Sequence, residues 1–485
     1  MNTRREFLKA AGAFSAGTAV AGCLSHPGAK VSSGNGSFVW GSLLHLGSNM
    51  WRDWIPGVKY PSSREEEAQL VREKKIKFSS SRLYCMRDYM SADMKVWRGQ
   101  VDYTRAEGLN TVFIDIGEAY AFPSHPELWV KGSLDFDEMR AELDYIRKQG
   151  LEPVPKLNFS TGHDQWLREY HYMTSSPKYY QVVADVIRDV CEVFGSPRLF
   201  HIGFDEEVFA ACGGRQLCVM RSRDLWWKDM LFCVREVERH GARATLWSDK
   251  ICGGREEFFK NMPKSVLQSP WYYGKDFSDE KLAWKTEFEK CQTWDVQRNL
   301  ASAIVELANA GYDLMPCTSN WSSDEAADAM LGFCKKRIDP ERIKGYYTAP
   351  WRKAVVEDDA KTRSGIRLFA DAKRKACDAV KAFLSEFAVF VYSKACALAE
   401  GKRCSNRLFL RRIFNVDKHN AFLSVRAFKT AYQATPRRFR GRKRCKSVKV
   451  FSALAIEHAF SAFHRRINAF ATFPRKRQQF LFKEL

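Results

Sequence analysis

The strongest constraint on the fold is a beat that repeats through most of the chain: a short apolar run, an amphipathic run, then a glycine. Strand-like segments at 38–46, 111–116, 152–158, 199–203, 243–248, 265–271, 313–318 and 345–349 alternate with helical patterns. The helical patterns lie at 93–107, 135–149, 179–193, 222–240, 255–261, 297–309, 324–337 and 361–381. Within 135–149, Phe136, Met139, Leu143 and Ile146 recur at helical spacing and give that helix one apolar face. Gly108, Gly150, Gly241 and Gly311 follow helical patterns where a left-handed terminating residue belongs. Strands separated by helices must pair in parallel through crossovers. Eight such units predict an α/β fold, a (β/α)8 TIM barrel over residues 38–385. The competing architecture is an open doubly wound sheet, but no glycine-rich phosphate fingerprint follows the first strand.

The ends are of a different character. Thr3-Arg4-Arg5-Glu6-Phe7-Leu8-Lys9 matches the twin-arginine export motif, and a short small-residue stretch follows it. That stretch is too short and too weakly apolar to span a membrane. It ends Val20-Ala21-Gly22-Cys23, which resembles a lipobox, so residues 1–23 are expected to be an export signal with Cys23 lipidated. The expected location is periplasmic or cell-surface, with membrane contact only through that anchor. Residues 24–37 read as a linker. The remaining cysteines are odd in number and form no CxxC pair, in keeping with small core residues of a protein folded in a reducing compartment. The net charge of +21 invites a nucleic-acid reading, but residues 401–485 hold 22 Lys and Arg against only Asp417, Glu457 and Glu484. The excess therefore belongs to a basic tail, 386–485, and no nucleic-acid partner is expected. Every tryptophan lies at or before Trp351. So abrupt a shift favours a translated out-of-frame segment over a surface-binding extension or a poorly ordered appendage.

The chemistry concentrates at Leu199–Glu207, LFHIGFDEE. An apolar run climbs to a glycine and then places Asp205, Glu206 and Glu207 side by side. Three adjacent carboxylates are unfavourable inside a strand but suit a strand end that opens into a cleft. There, burial and repulsion can keep one carboxyl protonated while its neighbour stays ionised. In a barrel the active site forms where strands run out at the C-terminal rim. The residues just past the other strands fit such a rim: His45 and Asn49-Met50-Trp51; Asp115, Glu118 and Tyr120; Asn158 with His163 and Asp164. The later strands give Trp247 and Asp249; Trp271, Tyr272 and Tyr273; Asn320 and Trp321; Trp351 and Arg352. Flat aromatic faces among carboxylates and amides suit a sugar ring, so the expected partner is a carbohydrate. The histidines show no ligand spacing, so neither a metal nor another cofactor is expected.

His201-Ile202-Gly203-Phe204-Asp205-Glu206 resembles the H-x-G-G-D-E signature on the fourth strand of glycoside hydrolase family 20, the β-N-acetylhexosaminidases. Pro155–His163 is similar to that family's third-strand segment, which ends Pro-Gly-His. Trp247, Trp271 and Trp351 stand where the family places the walls of its sugar pocket. The resemblance covers roughly 38–380 and extends to a group of bacterial twin-arginine-signal proteins with a related barrel. It implies an exported glycoside hydrolase acting on N-acetylhexosamine-containing glycans. Glu206 would be the general acid. Asp205 would hold the N–H of a substrate 2-acetamido group whose carbonyl oxygen attacks the anomeric carbon, with His163 close by. Asn158, Asp115, Asp249, Tyr273, Asn320 and Trp321 would complete the substrate site, and Glu207 would be structural. The sequence departs from the pattern at Phe204, where the family keeps glycine, at Lys156, where it carries Glu, and at Asn320-Trp321, where its tyrosine is expected.

Two other functions fit the same residues. One is a retaining glycosidase with two carboxylates, pairing Glu206 with Asp249, Asp115 or Glu118 at about 5 Å. The other is a non-catalytic, glycan-binding surface lipoprotein that uses the aromatic rim alone. Oligomeric state is not legible.

Overall fold

Prolines set the first irregularity of the barrel wall. The computed structural model describes residues 38–51, 61–73, 86–207, 219–284 and 299–376. The signal, Cys23, the linker and the basic tail lie outside these residues. Eight strands form in the predicted order: β1 Val39–His45, β2 Thr111–Asp115, β3 Glu152–Lys156 and β4 Leu199–His201, then β5 Arg243–Trp247, β6 Leu267–Ser269, β7 Cys317–Thr318 and β8 Gly345–Thr348. All pair in parallel, in the order β6-β5-β4-β3-β2-β1-β8-β7. Single parallel bridges Gln268–Leu314 and Trp271–Cys317 join β6 to the β7 segment, so the ring nearly closes on itself. The architecture is a (β/α)8 barrel, as the alternation predicts.

The strands are shorter than the sequence suggests, for identifiable reasons. Pro153 and Pro155 carry no N–H, and they alternate with residues that donate toward β2, as Glu152 N does to Asn110 O at 2.9 Å. The missing donors therefore face β4, where only the Lys156–His201 pair remains, with Leu157 N reaching His201 O at 3.0 Å. β4 stops at His201 because Gly203 and Phe204 turn left-handed. β7 keeps two residues of the six expected, and its approach is held by isolated bridges at Leu314 and by a proline at 316.

The helices are α1 Arg64–Arg72, α2 Met94–Ala106, α3 Phe136–Lys148, α4 Pro177–Phe194, α5 Asp224–Arg239, α6 Arg255–Asn261, α7 Asp279–Leu282, α8 Leu300–Asn309 and α9 Ala326–Arg337. A last helix, α10, runs from 356 to 376. α3 begins on a capping box between Asp135 and Glu138, and α4 on Ser176 with Pro177 in its first turn. Val182, Val183, Val186, Ile187 and Val190 of α4 are fully buried. Each such side chain contributes roughly 1.5–3 kcal/mol over an exposed one. The four helix-ending glycines have φ between 76° and 84°. A Cβ on Gly108, Gly241 or Gly311 would meet nothing, so the backbone angle and not space selects glycine there. α1 and the short 3-10 turns after β2, β3 and β5 have no counterpart in the sequence reading. The five described cysteines, Cys191, Cys233, Cys252, Cys317 and Cys334, are buried free thiols. Among the described residues no helix is long and apolar enough to cross a membrane.

Candidate active site

The end of β4 is built on three left-handed residues: Gly203 (φ 74°), Phe204 (φ 69°) and Glu206 (φ 51°). Gly203 admits no side chain, since a Cβ would stand 2.0 Å from Asn158 Oδ1. Phe204 holds the same left-handed geometry with a bulky residue, at a cost of about 1–2 kcal/mol. Its buried ring offsets that by packing edge-on against Trp226 at 5.4 Å and under the Arg221 guanidinium at 4.9 Å. Asn158, past β3, stitches the two loops together. Its Oδ1 accepts from Phe204 N at 3.1 Å and from Ser160 N at 3.0 Å. With that oxygen occupied, the Nδ2 amide must face Asp205, and it donates to Oδ1 at 2.7 Å.

The carboxylates then fall into two groups. Glu207 is clamped by Arg221, which reaches its two oxygens through Nε at 2.9 Å and Nη2 at 2.7 Å and also bonds Phe159 O and Asp229. Asp205 and Glu206 face the other way. His163 Nε2 lies 3.3 Å from Glu206 Oε2 and 3.6 Å from Asp205 Oδ2, while His163 Nδ1 accepts from the Trp51 indole at 2.8 Å. Asp249 joins from the β5 exit: its Oδ2 accepts the Glu206 N–H at 2.9 Å and its Oδ1 receives the Trp271 indole at 3.4 Å. One atom each from His163, Asp205 and Glu206 all lie within 4.8 Å, a spacing that ligands of a divalent cation would share.

The three carboxyls are not equivalent. Burial raises Asp205, against the opposing pulls of His163, Lys156 and Asn158 and with the repulsion of Glu206. Burial and the nearby Asp205 charge push Asp249 up to about 7. For Glu206 burial also pulls upward, but the interaction with His163, above all its hydrogen bond, outweighs it and holds the carboxyl below the usual range. The upward shifts thus lie on the Asp205–Asp249 side, and the downward one on Glu206. The Glu206 side chain is 41% exposed, the most open of the three acidic residues of the β4 loop.

The aromatic residues divide similarly. Trp271 and Tyr273 are buried with rings 5.1 Å apart, and the Trp351 indole donates to Tyr273 Oη at 3.0 Å. These three, with Asp249, form one connected wall. Trp247 is fully buried, lying against His201 at 4.6 Å and Tyr347 at 5.7 Å, with Trp351 6.0 Å away. It supports the wall from beneath. Trp321 is 41% exposed and carries the Arg352 guanidinium over its ring at 4.7 Å, while Asn320 Nδ2 donates to Lys361 O at 3.2 Å.

Asp115 is drawn downward into the barrel. Lys156 Nζ approaches its Oδ2 at 2.5 Å and His45 Nδ1 at 3.3 Å, and despite burial these neighbours keep its carboxyl at about 2. Lys156 therefore has a structural partner of its own. Glu118 is buried under the N–H groups of Ser48 and Asn49 at 2.8 and 3.0 Å, and burial carries it to about 7. Asp164 bonds the His171 ring at 2.5 Å. His201 accepts from Gly203 N at 3.1 Å and meets Tyr347 Oη at 3.4 Å, as a core histidine should. Sequence reasoning named Trp51 only as a rim residue and missed Arg221. Trp51 at least lay just past β1, whereas nothing local marks Arg221, fourteen residues beyond Glu207 across the chain.

No protein-family model and no curated protein matches this chain. Among solved structures it is similar to a β-N-acetylhexosaminidase from Bacteroides fragilis NCTC 9343, at 12% identity over 69% of this chain and 65% of that one, TM-score 0.44. It is similar to a glycoside hydrolase family 20 exo-β-N-acetylglucosaminidase from Vibrio harveyi, in complex with N-acetylglucosamine, at 12% over 60% and 55%, TM-score 0.40. A family 20 β-N-acetylhexosaminidase from Streptomyces coelicolor A3(2) gives 13% over 68% and 64%, TM-score 0.41. In each case less than two thirds of the other chain is spanned. At these identities and scores the likenesses assign no role to any residue. The barrel itself rests on the strand pairing above.

Proposed function

We propose that the protein is a glycoside hydrolase acting on 2-acetamido sugars, with Glu206 as general acid and Asp205 as the group that orients the acetamido N–H. The observation that carries this reading is the Asp205–Glu206 pair at the C-terminal end of β4. Its carboxylates share one histidine within 4.8 Å, beside the wall of Trp271, Tyr273 and Trp351. In the proposed reaction Glu206 gives its proton to the glycosidic oxygen as the C–O bond breaks. The substrate's acetamido oxygen attacks the anomeric carbon, and Asp205 accepts a hydrogen bond from the acetamido N–H as that nitrogen becomes positive. Water then attacks the anomeric carbon, returns a proton to Glu206 and releases the acetamido group. No enzyme nucleophile is required, which is one of the exceptions to the two-carboxylate scheme. A sugar covering Glu206 would strip its remaining water, and that desolvation pushes a carboxyl upward, toward the protonated form an acid needs.

The test is a panel of aryl β-glycosides with 2-acetamido or 2-hydroxy substituents. Turnover confined to the 2-acetamido compounds supports the reading. Equal turnover of both would replace it with the two-carboxylate mechanism, and binding without any turnover with the glycan-binding protein. One observation favours a second assignment within the two-carboxylate scheme: Asp249, at about 7, holds a proton more readily than Glu206. Asp249→Asn would then abolish turnover where Glu206→Gln only slows it. Asp115 and Glu118 are poor second carboxylates, since Lys156 occupies one and two backbone amides the other. Export through the Arg4-Arg5 signal and lipid anchoring at Cys23 belong to the same proposal and rest on the motifs alone. Metabolic labelling with a palmitate analogue, lost in Cys23→Ala, checks the anchor.

A further inference from the structure

We propose that Trp51 is a positioning residue: its indole N–H fixes the His163 proton on Nε2, making His163 a hydrogen-bond donor to the Asp205–Glu206 pair and not a lone-pair ligand. The proposal rests on the reading of that pair as the catalytic one. An indole nitrogen can only donate, and a neutral imidazole has one donor and one acceptor. Trp51 Nε1 stands 2.8 Å from His163 Nδ1, so Nδ1 is the acceptor and Nε2 carries the hydrogen. Nε2 in turn faces Glu206 Oε2 at 3.3 Å and Asp205 Oδ2 at 3.6 Å, both acceptors when ionised. The ring planes, tilted by 51° with centroids 5.7 Å apart, are not stacked.

Two consequences follow. A second proton on Nδ1 would set N–H against N–H, so Trp51 opposes the imidazolium that two neighbouring carboxylates would otherwise favour. The cluster also has the spacing of a cation site, but the Nε2 lone pair that a metal would need is occupied by hydrogen. Trp51 is itself held: its carbonyl accepts from Met86 N at 2.6 Å, and it packs against Met50, as Trp351 does. Among the described residues, the other charged groups that act on the pair are Asp249, from the β5 exit, and Lys156, committed to Asp115.

The test is the nitrogen-15 spectrum of the full-length protein labelled at histidine, with His163 identified by the resonances lost in His163→Gln. The expected result is a non-protonated Nδ1 and a protonated Nε2 in the unsubstituted protein. In Trp51→Phe the ring should pass to a mixture of tautomers. A proton on Nδ1 in the unsubstituted protein would overturn the proposal, whether or not any glycoside is turned over. With an aryl 2-acetamido glycoside as probe, Trp51→Phe should lower kcat by about 3–10-fold, less than the roughly 10²–10⁴-fold an acid–base group itself contributes, and leave KM within about twofold. A raised KM with unchanged kcat would make Trp51 a wall of the sugar site instead.

Discussion

The two faces of the β4 loop handle buried charge in opposite ways. Behind it, Glu207 and Asp229 share the fully buried Arg221, whose fork matches a carboxylate and which gives a further donor to Phe159 O. In front of it, Asp205 and Glu206 share one histidine with Asp249 bonded to the Glu206 N–H, and no Lys or Arg among the described residues is ion-paired to any of the three. The Asp115–Lys156–His45 group inside the barrel follows the first pattern. Compensated clusters hold the carboxyl low and serve the fold. The uncompensated one leaves protons shared and groups shifted, the property acid–base chemistry requires. Adjacent residues in sequence, Glu206 and Glu207, thus have different fates because Glu207 faces a guanidinium and Glu206 an imidazole.

The largest effect that would break this contrast lies behind the loop. Arg221→Ala leaves Glu207 and Asp229 buried without their cation and should destabilise the protein by about 3–5 kcal/mol. In thermal denaturation that is a fall of roughly 10 °C, with Arg221→Lys intermediate because an ammonium cannot reproduce the fork. A small loss would mean that the knot is not the anchor described. Next is the front of the loop. Asp249 has a folded value of about 7, above that of an ordinary aspartate. Its contribution to stability is therefore fully present below about pH 4 and is lost as pH rises through about 7. Asp249→Asn removes this dependence and should raise Tm at pH 8 by roughly 2–4 °C while changing little at pH 4. An equal change at both pH values would show that Asp249 is not shifted. The smallest effect concerns Phe204. Both Phe204→Ala and Phe204→Gly lose the packing on Trp226, but only glycine relieves the left-handed backbone. The glycine variant should be the more stable of the two by about 1 kcal/mol in denaturant titration, the reverse of the usual order.

The barrel was legible because eight apolar runs alternate with helical periods, and periodicity survives without knowledge of contacts. The strand ends were not. Proline donors missing toward β4, and left-handed turns after Ile202, shorten strands by removing partners that only the neighbouring strand reveals. At the site, the sequence pointed to Asp205, Glu206 and His163, which the structure brings together, and to Glu207 as structural, which Arg221 explains. Charge was the harder part. Burial and neighbours raise Asp205 and Asp249, which come from different strands, while the interaction with His163 holds Glu206 below the usual carboxylate range. Phe204, a departure from the resembled pattern, keeps the backbone angle that glycine would adopt.

The most direct test of the central claim is Glu206→Gln assayed on aryl 2-acetamido glycosides whose leaving groups span a range of acidity. If Glu206 supplies the proton, the variant loses about 10³-fold or more on poor leaving groups, loses far less on the most acidic ones, and still binds the sugar. Uniform loss across the series, or undiminished turnover, would contradict the assignment.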